Sequence, residues 1–376
     1  MAEPRKIVLI LGNGFDLDLG LKTSYKDFWE SEFCPKDYPA PLIHHLNQRW
    51  PDSLDAVKWY DLENELLNYY NSIPDPGIGS DVLTQEENDF LKDFSPYGWQ
   101  CGWYEDKKDL VQSLINKGVL LFRADPFPAI GEHYKEDALQ TPIWRDRKAL
   151  RLIKDGLCNY LKSLQHPRDV NSTIAFQVLA LLDEEACKSN IVNIYSFNYT
   201  RVLLNGMTLN NAQVHYVHGK CEDEKVIIGT RDDQNLNENY DFLQKSFDPA
   251  YNPPALVEVL NNAEEIIIFG HSIGENDRQY FKAFFKQQTD YLHPYRKDIT
   301  IFTRDDASEI QIKRALQRMT DWNLSTLYGL NNIKVIKTRE IHKDQNSLYD
   351  FLVKHGKEEQ ITRDFIGMLL KKQEDS

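Results

Sequence analysis

The 376-residue sequence is short of several things, and each shortage closes a class of function. It has five cysteines (Cys34, Cys101, Cys158, Cys187 and Cys221), an odd number with no Cys-x-x-Cys pair. That spacing builds neither a zinc ribbon nor a disulfide framework, so a reducing cytoplasm is the expected compartment. Cations are scarce as well: 44 Lys plus Arg stand against 58 Asp plus Glu, a formal net charge of −14. Sequence-independent binding along a phosphate backbone needs clustered cations, so no broad nucleic-acid surface is expected. A local basic pocket stays open. Long apolar runs are missing: Ile7–Leu11 and Ile266–Phe269 are far short of the ~20 residues that span a bilayer, and no membrane association is expected. The N-terminal residues lead directly into the first apolar run, so no signal peptide is expected. His44-His45 has no third ligand at a recognisable spacing, so it reads as a helix-face pair and no metal is expected. Neither an internal repeat nor a low-complexity tract is found.

What is present is a foldable globular composition, 41 % hydrophobic and 27 % charged, in a chain long enough for more than one domain. Short apolar, β-branched runs end in small or polar residues at the start of the chain and again in its second half. Lys6–Leu11 leads into Gly12-Asn13-Gly14, Ile191–Tyr195 into Ser196-Phe197-Asn198, and Val214–Val217 into His218-Gly219. Val226–Ile228 ends at Gly229, Glu265–Phe269 at Gly270-His271-Ser272, and Ile299–Phe302 at Thr303-Arg304-Asp305; Ile333–Lys337 is the last. Continuous apolar runs with polar exits suit buried strands of a parallel sheet, where ligands gather at the carboxyl ends. The expected fold is α/β, with a Rossmann-like, mostly parallel sheet.

The strand pattern stops between residues 35 and 185. There Leu62–Tyr70, Glu86–Phe94, Lys107–Lys117, Arg147–Leu164 and Ile174–Cys187 carry helical periodicity, broken at Pro74–Gly77 and Pro96–Gly98. The expected organisation is a Rossmann-like domain over 1–34 and 186–345, a helical insertion over 35–185, and a C-terminal helix and tail over 346–376. Trp99, Trp103 and Tyr104 read as core or as a partner patch, and Asp232-Asp233 as a solvated turn.

Three strand exits carry candidate chemistry. Glycines in Gly12-Asn13-Gly14-Phe15 let a backbone approach a phosphate closely, and equally make a tight strand-to-helix turn. Leu17 stands where Gly-x-Gly-x-x-Gly has its third glycine, which disfavours a hydride-transfer dehydrogenase. The Asn198 amide can orient a ribose hydroxyl or a water, or simply make a turn. His218 is a base near neutral pH with a glycine beside it; His215 points to the opposite strand face and reads as structural. Asp16 either faces the reacting centre or caps the first helix.

These residues carry a resemblance. Gly12-Asn13-Gly14-Phe15-Asp16 with Gly20-Leu21-Lys22-Thr23-Ser24-Tyr25-Lys26-Asp27-Phe28 resembles the opening signature of the AbiH family of bacteriophage abortive-infection proteins. Trp59-Tyr60-Asp61-Leu62-Glu63 resembles a second patch of that family, and Ser196–Thr200, His218-Gly219 and Phe269–Ser272 continue the match. More distantly, the set is similar to the Sir2-like NAD-binding fold. That resemblance implies NAD as ligand or substrate and a cofactor loop at Gly12, Asn13, Gly14 and Phe15. It also implies Asn198 at the nicotinamide ribose, His218 as base, a second cofactor loop at Gly270, His271 and Ser272, and Thr303 near the adenosine side. Sirtuin deacylases carry a four-cysteine zinc module and usually Ser where Asp16 stands, so protein deacylation is not implied. Hydrolysis of NAD⁺ at the nicotinamide–ribose bond is, with catalytic roles for Asn198, His218 and Asp16. A phage or host trigger protein is the implied partner, and an oligomer is compatible with the sequence.

Two alternatives belong to other classes. Gly270-His271-Ser272-Ile273-Gly274 matches the nucleophile elbow Gly-x-Ser-x-Gly after a strand, and Asp305 and His342 follow in the order of an α/β-hydrolase triad. Against it, Glu275-Asn276-Asp277 reads as an acidic helix cap, and the Gly12–Phe28 signature is left without a role. The second is a non-catalytic sensor that binds a nucleotide and recognises phage infection through the insertion.

Overall fold

The computed structural model describes residues 4–50, 61–73, 84–93, 105–110, 142–165, 169–188, 190–204, 206, 208–292 and 296–374. Several expectations lie outside these residues: the breaks at Pro74–Gly77 and Pro96–Gly98, the aromatics Trp59, Tyr60, Trp99, Trp103 and Tyr104, Cys101, and the expected helix Lys107–Lys117 beyond residue 110. The chain divides into two compact units. The first takes Met1–Phe28, Cys158–Ile227 and Ala250–Ser376; the second takes Trp29–Leu157 and Ile228–Pro249.

In the first unit β1 (Lys6–Leu11) runs into the short helix α1 (Asn13–Asp18). After α2 (Ile174–Cys187) come β2 (Ile191–Ser196) and β3 (Gln213–Tyr216). The alternation then settles into α3 (Leu256–Asn262), β4 (Glu265–Phe269), α4 (Arg278–Gln287), β5 (Asp298–Thr303), α5 (Asp306–Met319) and β6 (Asn332–Lys337). Helices α6 (Ile341–Lys354) and α7 (Glu359–Glu374) close the chain. The six strands are all parallel and lie in the order β3-β2-β1-β4-β5-β6. That is a Rossmann-like, doubly wound sheet.

Burial on both faces explains why the strands are continuously apolar. In β1, Ile7, Leu9 and Leu11 enter the core beneath α2, α6 and α7, while Val8 and Ile10 enter the one beneath α3, α4 and α5. The period of two sends successive side chains to opposite layers. Helix starts are fixed locally: the Thr173 hydroxyl accepts from Phe176 N at 3.2 Å before α2, and the Asp305 carboxylate accepts from Ser308 N at 2.9 Å before α5. Leu11 pairs with Ser196 on one side and Phe269 on the other, so the exits of β2, β1 and β4 stand level along one edge.

One expected strand differs. Val226–Ile228 gives the main sheet nothing; Lys225–Val226 pairs antiparallel with Gly219–Lys220 in a separate hairpin. Gly219 sets this turn. Its φ is +74°, and a Cβ would stand 1.7 Å from Lys225 O, so the chain doubles back before a sixth crossover forms.

The second unit has helices Pro41–Arg49, Leu62–Ser72 and Gln85–Asp93 and the first part of Pro142–Ser163. Its interior holds several polar groups. Asp146 accepts from Leu42 N at 2.9 Å and from the Tyr69 hydroxyl, and burial pushes its carboxyl up to about 7 despite those bonds. Glu63, in the family-like patch, pairs at 3.0 Å with Lys245, which is 1 % exposed. His44 bonds Gln48 one turn on along its helix, His45 reaches Glu65 of the next helix at 3.4 Å, and Asp233 pairs with Arg231 in a turn.

Among the described residues no helix is long and apolar enough to cross a membrane, and no group of three or more His, Cys, Asp or Glu is placed to hold a metal ion. Cys34, Cys158, Cys187 and Cys221 form no disulfide among the described residues.

Candidate functional site

The strand order reverses between β1 and β4, and in open α/β sheets the crevice at such a switch point is where ligands bind. Here the two flanking loops lie in backbone contact. Gly12 N donates to Phe269 O at 3.0 Å and Gly14 N donates to Gly270 O at 2.9 Å, while Phe15 N donates to Gly12 O at 2.9 Å. Gly270 has φ +65°, and a Cβ on it would stand 2.3 Å from Phe15 N and 2.4 Å from Gly14 C. A Cβ on Gly12 would meet His271 Cα at 2.5 Å. The glycines therefore have a packing role of their own, and three amides of the loop already donate within the protein. Phe15 is core, edge-on to Phe269, and the Asn13 side-chain oxygen accepts from the Thr23 hydroxyl at 2.6 Å.

The exits of β1 and β2 bring three polar side chains together. Asp16, 4 % exposed, accepts from the Thr200 hydroxyl at 2.6 Å and from the Asn198 side chain. Asn198 also donates from Nδ2 to Gly12 O at 3.0 Å, which anchors it to the glycine loop. Helix α1 begins at Gly12 without a side-chain cap, so Asp16 does not cap it. Burial dominates the Asp16 carboxyl and pushes it up to about 6, against the lowering effect of Thr200 and Asn198. A carboxyl in that range exchanges protons near neutral pH. A recess of about 60 Å³ beside this group is lined by Tyr199, Thr200, Arg201 and Lys162.

A second group stands at the exits of β3 and β4. His218 Nε2 lies 2.8 Å from Asp277 Oδ1, and His271 Nε2 lies 3.2 Å from Asp277 Oδ2. Both imidazoles are buried against the Phe197 ring, with centroids at 5.3 Å for His218 and 4.3 Å for His271. Phe197 immediately precedes Asn198, so one short segment touches both groups. Tyr280 packs on His218 at 5.8 Å and forms part of an open groove of about 680 Å³ with Tyr251, Pro254 and Gln279.

Asp277 is the residue the sequence hides. It stands at the cap position of α4, as the acidic run implies, but makes no capping bond. Its carboxylate turns instead to two histidines, His271 earlier in its own loop and His218 at the exit of β3. Nothing local separates it from Glu275, which pairs with Arg318 and Arg278.

Ser272 is exposed, and Thr303 is buried at the end of β5 with its carbonyl accepting from Thr338 N at 2.7 Å. Among the described residues neither side chain hydrogen-bonds to the two groups. The triad Ser272, Asp305 and His342 does not assemble. Asp305 is committed to Ser308 and Arg304, His342 is exposed, and no hydrogen bond joins the three. Positive φ falls on Gly270 and Ile273, not on Ser272, where a nucleophile elbow holds its strain.

The family model described as bacteriophage abortive infection AbiH aligns with residues 8–293. No curated protein and no solved structure matches the chain.

Proposed function

The chain belongs to the AbiH family and so has a role in abortive infection against bacteriophage; on that premise we propose that it carries out the role by hydrolysing NAD⁺ at the nicotinamide–ribose bond. The observation that carries this reading is the cluster of Asp16, Asn198 and Thr200 at the exits of β1 and β2, beside the switch point, with Asp16 poised at about 6. The choice of NAD⁺ rests on analogy of fold, since one fold hosts many chemistries.

In this reading the C–N bond between nicotinamide and ribose breaks, nicotinamide leaves neutral, and water adds to the ribosyl carbon with loss of a proton. Asp16, ionised above about 6, faces the positive charge that develops on the ribosyl centre, and a buried carboxylate acts there with little screening. Asn198, held by Gly12 O, orients the ribose or the attacking water. His218 takes the proton. The glycine-loop amides are engaged with each other, so the pyrophosphate falls to donors outside them, with Arg201 and Lys162 the cations lining the recess beside Thr200.

Incubation of the purified chain with NAD⁺, following nicotinamide, is the deciding measurement. Release is expected, and His218→Ala and Asn198→Ala are each expected to slow it by at least ~10²-fold. Unchanged rates in both variants would overturn the site. Absence of release, even with a phage trigger, together with fluorophosphonate labelling of Ser272 would favour the hydrolase. Tight nucleotide binding without turnover would favour the sensor.

A further inference from the structure

We infer that Asp277 is the positioning residue that fixes the tautomers of two histidines, and thereby makes His218, and not His271, the basic imidazole. This rests on the site proposed above, but the choice between the histidines follows from the hydrogen bonds alone. Ile273 N donates to His271 Nδ1 at 3.0 Å. A backbone N–H only donates, so Nδ1 of His271 must be the unprotonated nitrogen and its ring proton sits on Nε2. That Nε2–H points at Asp277 Oδ2, 3.2 Å away. Both nitrogens of His271 are thus committed to partners within one loop and its following turn.

The other oxygen of the same carboxylate faces His218 Nε2 at 2.8 Å. An ionised carboxylate only accepts, so His218 donates Nε2–H and its basic lone pair is on Nδ1. One aspartate therefore sets two rings in the same tautomer but leaves them unequal: His271 is spent on holding Asp277 in place, and His218 is the ring whose second nitrogen can take a proton. The Phe197 ring, against both imidazoles, keeps them from turning away.

Substitution by the isosteric amide gives a sharp test. In Asp277→Asn the side chain offers the two rings one acceptor and one donor where the carboxylate offers two acceptors. His271 cannot give up its Nε2–H while Ile273 N–H occupies Nδ1, so it claims the amide oxygen. The amide N–H₂ then meets His218 Nε2, and His218 must carry its proton on Nδ1. The base is turned the wrong way with the fold intact. A mis-set tautomer of this kind in the Ser-His-Asp triad costs on the order of 10⁴ in rate.

The experiment is nitrogen-15 NMR of the histidine rings in the full chain, in the parent protein and in Asp277→Asn, alongside nicotinamide release. Expected are Nε2–H tautomers for His218 and His271 in the parent, an Nδ1–H tautomer for His218 alone in Asp277→Asn, and a loss of at least ~10²-fold in kcat with little change in KM. Asp277→Glu, which keeps two acceptors, is expected to retain the parent tautomers. An Nδ1–H tautomer for His218 in the parent, or unchanged tautomers in Asp277→Asn, would overturn the assignment. The parent spectrum needs no variant to fold. If the tautomers are as expected and NAD⁺ is not cleaved, the substrate reading fails and the assignment of Asp277 stands.

Discussion

At the scale of the residue, the site is held by groups the fold does not favour energetically. A carboxyl whose pKa rises from 3.8 to about 6 on burial is one that the folded state prefers to keep protonated. The folded state then binds more protons than the unfolded one between those values, so stability falls as pH rises through that window. Asp16→Asn removes the ionisation while keeping an acceptor for Thr200. We expect it to raise the thermal midpoint at pH 8 by a few degrees and to abolish NAD⁺ cleavage, checked by calorimetry beside the activity assay. Gly270 gives the opposite case. Gly270→Ala forces a Cβ into the Gly14–Phe15 backbone at positive φ, and a loss of at least ~2 kcal/mol in urea unfolding is expected. The glycine pattern was visible in the sequence, but its cause was not: Gly12 and Gly14 answer to a loop that follows β4, and no local window contains both. Asp277 was hidden for the same reason. Asn198 and His218 were legible because each ends an apolar run directly, which makes them strand-exit residues by position alone.

Among the elements, what could be read followed what local periodicity determines. The helix Ile174–Cys187 was found with its ends because Thr173 supplies a cap and the apolar positions repeat along one face. The six sheet strands showed as continuous apolar runs because both faces are covered. Val226–Ile228 looked the same and is not a sheet strand, since the deciding residue is Gly219 across the hairpin. Connections also explain why Asp305 reads from sequence as a triad member: it follows a strand, as a catalytic residue would, but in the structure it caps the next helix. That role is testable. Its carboxyl is held at about 2; burial alone would raise it, and the bonds from Ser308 and Arg304 overcome that. Asp305→Ala is expected to cost ~1 kcal/mol of stability at neutral pH and to leave nicotinamide release unchanged. A loss of activity out of proportion to that cost would reopen the triad.

For the whole molecule, the charge of −14 acquires a second meaning. Asp16 and Asp18 are raised to about 6 and Asp146 to about 7, all by burial, so each opposes folding as it ionises. Self-repulsion of a net negative chain adds in the same direction. At the acid end Glu265 acts with the opposite sign. Burial would raise it, but His355 and Lys354 bring it down to about 2, so its contribution is present above its unfolded value of 4.5 and is lost as pH falls through about 2. The thermal midpoint is therefore expected to peak between about pH 4 and 6 and to decline toward pH 8, by a scan across buffers of matched ionic strength. A flat profile from pH 5 to 8 would contradict the burial of the three aspartates.

The central strand of the sheet is also the first to be made. Lys6 pairs with Ile191 on one side and Ile7 with Glu265 on the other, so β1 leaves the ribosome long before either neighbour exists. At 5–20 residues per second the wait for β2 alone is roughly 10–40 s, during which a strand that is apolar on both faces has no sheet to join. A chain interrupted before Asp277 holds the glycine loop and Asn198 but not the carboxylate that meets both histidines. Competence at this site thus waits for synthesis to pass Asp277, and fragments released earlier carry its parts without its chemistry.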